Sequence, residues 1–149
     1  MTDGGTLPDA QVFNSFGCTG GNRSPALAWS GAPEGTKSYI LTMFDPDAPT
    51  GSGWWHWTVV NIPADTTDLA EGASPAALPA GAVEGRTDFG APGYGGACPP
   101  AGAAPHRYVF SLYAMPDTVP LDSGASGAMV GFYAGGALAS ATLTVTYGR

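Results

Sequence analysis

Four stretches of this chain alternate in side-chain character with the period of two that a half-buried strand requires. In Tyr39–Asp45 the alternation puts Tyr39, Leu41, Met43 and Asp45 on one face and Ile40, Thr42 and Phe44 on the other. Pro46 donates nothing to a ladder, so Asp45 emerges at a strand end. Trp54–Ile62 predicts a second strand, with His56 sharing a face with Trp54, Thr58 and Val60. His106–Ala114 predicts a third, which places His106, Tyr108, Phe110 and Leu112 together. Period-2 geometry sets His106 and Tyr108 side by side, about 6.5–7 Å apart along the strand. The last, Ala141–Tyr147, sets Leu143, Val145 and Tyr147 against Thr142, Thr144 and Thr146.

The segments between these strands are dense in turn residues. Residues 64–102 form a long stretch in which Thr66-Thr67-Asp68-Leu69 is the one plausible helical start. Loops of that length inside a compact domain are usually functional. Ala125–Ala139 has helical length, but Gly127, Gly131, Gly135 and Gly136 each weaken a helix by up to about 1 kcal/mol against alanine. Short strands with turn punctuation and little helix point to an antiparallel β-sandwich, mainly β, built as one domain over residues 1–149.

Composition narrows the function. The 149 residues include 23 Gly and 14 Pro, which sit between apolar runs rather than in repeats, so the chain reads as a loop-rich globule. Its net charge of −7 and lack of a Lys/Arg cluster argue against a nucleic-acid partner and against attraction to anionic membrane. No apolar run approaches the roughly 20 residues that span a bilayer, so stable membrane insertion is not expected. The start, Met1-Thr2-Asp3-Gly4-Gly5, has neither a basic n-region nor an apolar h-region, which predicts a cytoplasmic chain. No Gly-x-Ser-x-Gly elbow, P-loop, dinucleotide fingerprint or metal-ligand spacing occurs, so no cofactor and no metal are expected.

The candidate chemistry is concentrated. Both histidines fall in segments rich in Pro, Gly and aromatics: His56 in Trp54-Trp55-His56-Trp57, after Asp45-Pro46-Asp47-Ala48-Pro49, and His106 in Cys98-Pro99-Pro100 to His106-Arg107-Tyr108. Taken singly, each reads as a hydrogen-bonded strand histidine. Taken together and in this order, they resemble the signature segments of the phosphatidylethanolamine-binding protein family, in particular its small bacterial, Raf-kinase-inhibitor-like branch. The likeness extends to Phe16-Gly17-Cys18-Thr19-Gly20-Gly21-Asn22, Gly85-Arg86-Thr87-Asp88-Phe89-Gly90 and Ala125-Ser126-Gly127-Ala128.

The resemblance implies a β-sandwich with one or two short peripheral helices, one of them within Ala125–Ala139. It implies that Asp45, His56, Pro100, His106 and Tyr108 converge on one small cavity, with Pro49 and Trp54 among the ligand contacts and a cis Ala48–Pro49 bond. Two imidazoles and a phenol would hold the anionic end of a phosphorylated, anionic or zwitterionic molecule, and Asp45 a cationic end. Arg107 points to the other face, as a structural partner for Asp47 or another acid. Two alternatives stand beside this reading. One is a cofactor-free cyclase or isomerase using Asp45, His56 and His106 for acid–base catalysis; the other is a protein-interaction module of kinase-inhibitor type. A homodimer stays open.

Two further expectations follow from the resemblance. Cys18 and Cys98 both lie in loops that approach the family's pocket, as a disulfide or as two buried thiols; a bridge would sit uneasily in a reducing cytosol. Bacterial relatives commonly carry histidines in the segment equivalent to residues 129–139, where this chain has none. Small residues there would open space for a bulkier, more apolar ligand.

Overall fold

A computed structural model, describing residues 1–149, turns all four alternating segments into strands. In chain order the elements are β1 (Leu27–Ala28), β2 (Ser38–Asp45), β3 (Trp54–Pro63), β4 (Asp68–Leu69), β5 (Val83–Glu84), β6 (His106–Met115), α1 (Gly127–Ala134) and β7 (Ala139–Tyr147). A 3-10 turn at Asp9–Gln11 precedes them. Five strands form one antiparallel sheet in the order β5-β3-β2-β6-β7, and β1 pairs with β4 as a separate ribbon. The Thr66–Leu69 stretch is therefore not helical. Leu69 pairs with Leu27 and is buried in the core, and Trp29 N–H donates to the Thr67 carbonyl, so tertiary pairing overrides the local helical signal.

The sheet has a core on each face. One face presents Tyr39, Leu41 and Met43 of β2 with Tyr108, Phe110 and Ala114 of β6, and packs against Leu7, Val12, Leu69, Tyr94 and Ala97. The opposite face presents Ile40, Val60 and Met115 to Val130 and Ala134 of α1. The helix is short because Gly135 and Gly136 follow Ala134, and Ser126 caps its start by accepting from Met129 N–H. The outer edge of β7 is covered by the N-terminal segment: Gly4 N–H and Leu7 N–H donate to the Thr144 and Thr146 carbonyls at 2.8 and 2.9 Å. The Thr144–Thr146 end of this edge strand is thereby closed to further pairing.

The sheet departs from simple alternation at two places in β3. Phe44 pairs with Trp55 but Met43 with Trp57, so His56 is an extra residue opposite β2. A second shift lies between the Leu41–Val59 and Tyr39–Ile62 pairs, at Asn61, whose φ is +57°. Each bulge flips the phase of the strand. Trp57 and Val59 consequently join the first core and Val60 the second, so Thr58 and Val60 do not share a face with His56, contrary to uninterrupted alternation. Asn61 keeps its left-handed turn by exchanging two side-chain hydrogen bonds with the backbone of Val119.

Gly127 tests how tightly α1 is seated. Alanine has the better helix propensity by about 1 kcal/mol. Its Cβ, however, would lie 2.2 Å from Cγ of Trp55, and an indole ring wedged on the sheet cannot yield easily. Gly127→Ala is expected to destabilise the fold by about 1–3 kcal/mol, read as a lower urea midpoint at unchanged slope. A raised midpoint would mean that propensity outweighs the contact.

Candidate active site and family relationship

The site is assembled where β2 ends and β6 begins. Phe44 pairs with Val109 and Asp45 with Trp54, so the last residue of β2 lies between Trp54 on one side and the first turn-ward residues of β6 on the other. Alternation along β6 sends His106 and Tyr108 to the same face as Asp45. The bulge in β3 turns His56 to that face as well. All seven residues expected at a ligand site, Asp45, Pro49, Trp54, His56, Pro100, His106 and Tyr108, line one cavity of about 210 Å³. Phe16, Ala48, Thr50, Phe89, Cys98 and Pro99 complete its wall.

Asp45 is 3 % exposed, and both its oxygens are engaged. Oδ1 accepts from Asp47 N–H at 2.8 Å, and Oδ2 accepts from Nδ1–H of His106 at 2.8 Å. The second bond fixes the ring of His106 and leaves its Nε2 as the nitrogen available to the cavity. His56 is held differently. Its Nδ1 lies 2.9 Å from the Gly95 carbonyl, which can only accept, so this nitrogen carries the proton. Burial pushes the imidazole below its ordinary pKa of 6.5, so the ring stays neutral and Nε2 is an acceptor. His56 thus does not supply a cationic donor to the cavity.

Two donors have no protein partner. The Tyr108 hydroxyl and Trp54 Nε1–H are closed off from bulk solvent and make no hydrogen bond within the chain. Burial, reinforced by the Asp45 charge, pushes the Tyr108 phenol far up, so it remains a donor across the physiological range. No lysine or arginine lines the cavity. Arg107 turns to the other face and clamps Asp47, with Nε and Nη2 donating to its two oxygens at 2.9 and 2.8 Å. These hydrogen bonds hold the Asp47 carboxyl down to about 2 and secure the turn behind Asp45.

Phe89 and Phe16 are site residues that strand reasoning missed. Phe89 packs against Trp54 and His56, with ring centroids 5.4 and 5.5 Å away. It closes against Gly95, where a Cβ would fall 2.2 Å from the ring, so the residue that holds His56 must be a glycine. The available signal was an aromatic isolated among turn residues, in Asp88-Phe89-Gly90 and Ser15-Phe16-Gly17, where it belongs to no strand. Cys18 and Cys98 form a disulfide that ties the Phe16 loop to the Pro99–Pro100 rim.

Two expectations are corrected. The cis bond lies at Ser74–Pro75, not at Ala48–Pro49. Thr50 N–H donates to the Ala48 carbonyl at 2.7 Å, a tight turn around Pro49 that needs the trans arrangement. The small residues of 129–139 do not widen the cavity either, because α1 packs on the opposite face of the sheet. Separately, no group of three or more His, Cys, Asp and Glu residues is placed to hold a metal ion, and no helix is long and apolar enough to cross a membrane.

Two predictions concern the ionisable groups of this region. Asp45→Asn removes a charge-assisted acceptor and turns an amide toward Nδ1 of His106, so it should destabilise by about 1–3 kcal/mol, measured by denaturant titration at neutral pH. The second concerns pH. His56 has a folded pKa below its unfolded value, so the unfolded chain takes up the proton first, and stability falls as pH drops below about 6.5. His56→Gln should remove that part of the slope. The Asp47 contribution is separate: it is full above about 3.8 and is lost as pH falls toward about 2. Melting temperatures from pH 8 to pH 2 for both proteins check the two windows.

Comparison with known proteins places the chain in a family. The family model for phosphatidylethanolamine-binding protein matches residues 1–148. The Escherichia coli K12 proteins YbcL and YbhB are 54% and 52% identical to the chain, which covers 81% and 95% of their lengths with 97% and 99% of its own. The crystal structure of E. coli YbcL superposes with a TM-score of 0.97 at 52% identity, covering 100% of this chain and 94% of that one. CT736 of Chlamydia trachomatis, 32% identical, superposes with a TM-score of 0.84 over 100% of this chain and 93% of its own. With a family model matching residues 1–148 and a fold that superposes on such relatives over its whole length, the chain belongs to the phosphatidylethanolamine-binding protein family.

Proposed function

We propose that the chain is a small-ligand-binding protein whose cavity takes a compact anionic or zwitterionic molecule. The observation that carries this reading is the pair of buried, unpartnered donors, the Tyr108 hydroxyl and the Trp54 indole N–H, on residues that line a cavity beside an oriented histidine. A buried donor without a partner costs free energy, and an incoming oxygen would recover it. The anionic oxygen therefore faces Tyr108 and Trp54. A donor group of the ligand, an ammonium or hydroxyl, faces the neutral His56 Nε2 and the remaining lone pairs of Asp45. Without a lining Lys or Arg, the site favours one compact negative charge, or one balanced by a neighbouring positive charge, over a highly charged anion.

A second reading rests on the Asp45–His106 pair. A carboxylate 2.8 Å from Nδ1 orients the imidazole as acid–base catalysts require, so a cofactor-free proton transfer on the bound molecule is the natural enzymatic use of this site. Incorporation of solvent deuterium into a bound carbonyl compound, lost in His106→Gln, would favour catalysis over binding alone.

Titration calorimetry with phosphate, phosphoethanolamine and acetate at pH 7 tests the binding reading. At least one should bind in the millimolar range or tighter. Tyr108→Phe should weaken it tenfold or more, the effect of losing about 1.5–3 kcal/mol from a hydrogen bond to a charged group. The same variant should melt at the same or a higher temperature, because the hydroxyl has no partner to lose. No binding by any of the three, or unchanged affinity in Tyr108→Phe, overturns the reading.

A further inference from the structure

Phe16 occupies a position that costs the fold something on two counts. It is 68 % exposed, the second most exposed of the chain's large hydrophobic residues. Its φ is +56°, and Gly17 follows with φ +83°. Cys18 N–H donates to the Ser15 carbonyl at 3.0 Å, so Ser15–Cys18 is a four-residue turn with both central residues left-handed. Asn, Asp or Gly suit the first central position of such a turn, because a bulky side chain there meets its own backbone. Phenylalanine instead holds that position, with its ring in the cavity wall.

The chain nevertheless holds the turn firmly. The Cys18–Cys98 disulfide anchors its end to a cavity-lining residue. Arg149 bridges the same two loops, with Nε donating to the Pro99 carbonyl at 2.7 Å and Nη1 reaching the Gly17 carbonyl at 3.4 Å. The ring itself finds only edge and tilted contacts, with Phe13 at 5.3 Å and Phe89 at 6.0 Å between centroids. Phe16 thus extends the aromatic wall of Phe89 and Trp54 outward past the polar floor of Asp45, His106 and Tyr108. Its free face, unpaid for by the protein, is where a ligand's apolar portion would lie once the polar end is seated.

We propose that Phe16 is a specificity-determining residue, a rigidly held aromatic flap that selects ligands bearing a planar apolar group next to their anionic end. This rests on the binding reading above and narrows it. The polar floor recognises the anion, and Phe16, with Phe89 behind it, discriminates among anions by what is attached to them. Offset or edge-on stacking on a pre-placed ring loses little conformational freedom on binding, so the selection does not depend on closure of a mobile loop.

The test compares two carboxylates that share a head group, acetate and phenylacetate, by titration calorimetry at pH 7. The wild-type protein should prefer phenylacetate by tenfold or more. In Phe16→Asn, which suits the left-handed turn, the preference should fall to within about threefold, and in Phe16→Tyr it should be retained. Phe16→Asn should melt no lower than the wild type. If the wild type binds both carboxylates equally, or if Phe16→Asn keeps the preference, the role of Phe16 is overturned while the binding reading stands. If neither carboxylate binds and phosphate and phosphoethanolamine also fail, the binding reading falls and Phe16 with it. A preference unaffected by Phe16→Asn together with a lower mass by light scattering would instead assign Phe16 to a contact between copies of the chain.

Discussion

A carboxylate withdrawn from water must be surrounded by donors, and around Asp45 that requirement organises the whole end of the sheet. Asp45 closes β2, and its two oxygens are taken by Asp47 N–H and by His106 Nδ1. The first bond closes a side-chain turn across Pro46. The second joins the end of β2 to the start of β6 through side chains, beyond the last backbone pair, Phe44 with Val109. Arg107, the neighbour of His106, reaches back on the opposite face to hold Asp47. Two consecutive residues of β6 therefore grip two alternate residues of the β2 turn, one pair inside the cavity and one outside it. The buried pair sets the chemistry, and the exposed pair keeps the turn from opening.

The second constraint is the bulge at His56. A regular β3 that kept Trp54 and His56 on the cavity face would also send Thr58 to the first core and Trp57 away from it. The extra residue lets His56 and Trp57 both lie on the same side of the sheet, so an imidazole can line the cavity while a fully buried indole fills the core immediately beneath it. Trp57 Nε1–H is satisfied by Glu84 at 2.8 Å, on the adjoining β5, which explains how so large a polar-tipped ring is accommodated. Asn61 then restores the phase so that Ile62 returns to the first core. Bulges re-aim side chains at functional sites in many sheets, and here two of them cooperate in a single strand.

These elements make the cavity asymmetric. Its floor carries a satisfied carboxylate, an oriented imidazole and a neutral one, while its outer wall is aromatic. Because His56 is held neutral by burial and no Lys or Arg lines the site, the cavity offers oriented hydrogen-bonding groups rather than net positive charge. The disulfide and Arg149 stiffen the loops that carry the wall, and the helix on the far side of the sheet has no part in it.

Local sequence determined the strands and the faces on which most of the polar site residues lie. Alternation in residues 39–45, 106–114 and 141–147 survives folding almost unchanged, because a period of two is enforced wherever each face of a sheet has its own core. The strand positions of Asp45, His106 and Tyr108 were legible for the same reason: two lie two residues apart on one strand, and the third stands at a strand end marked by Pro46; that they converge with His56 was implied only by the family resemblance. Other features required the tertiary structure. The bulges at His56 and Asn61 depend on what β2 presents opposite them, which the alternation of β3 does not record. Asp68–Leu69 became a strand because Leu27 was there to pair with it. Phe16 and Phe89 sit in turns, and their place in the wall follows from chain crossings tens of residues apart. The neutrality of His56 is likewise tertiary: it comes from burial, which outweighs the opposing pull of the Gly95 carbonyl, and neither is encoded in the residues beside it.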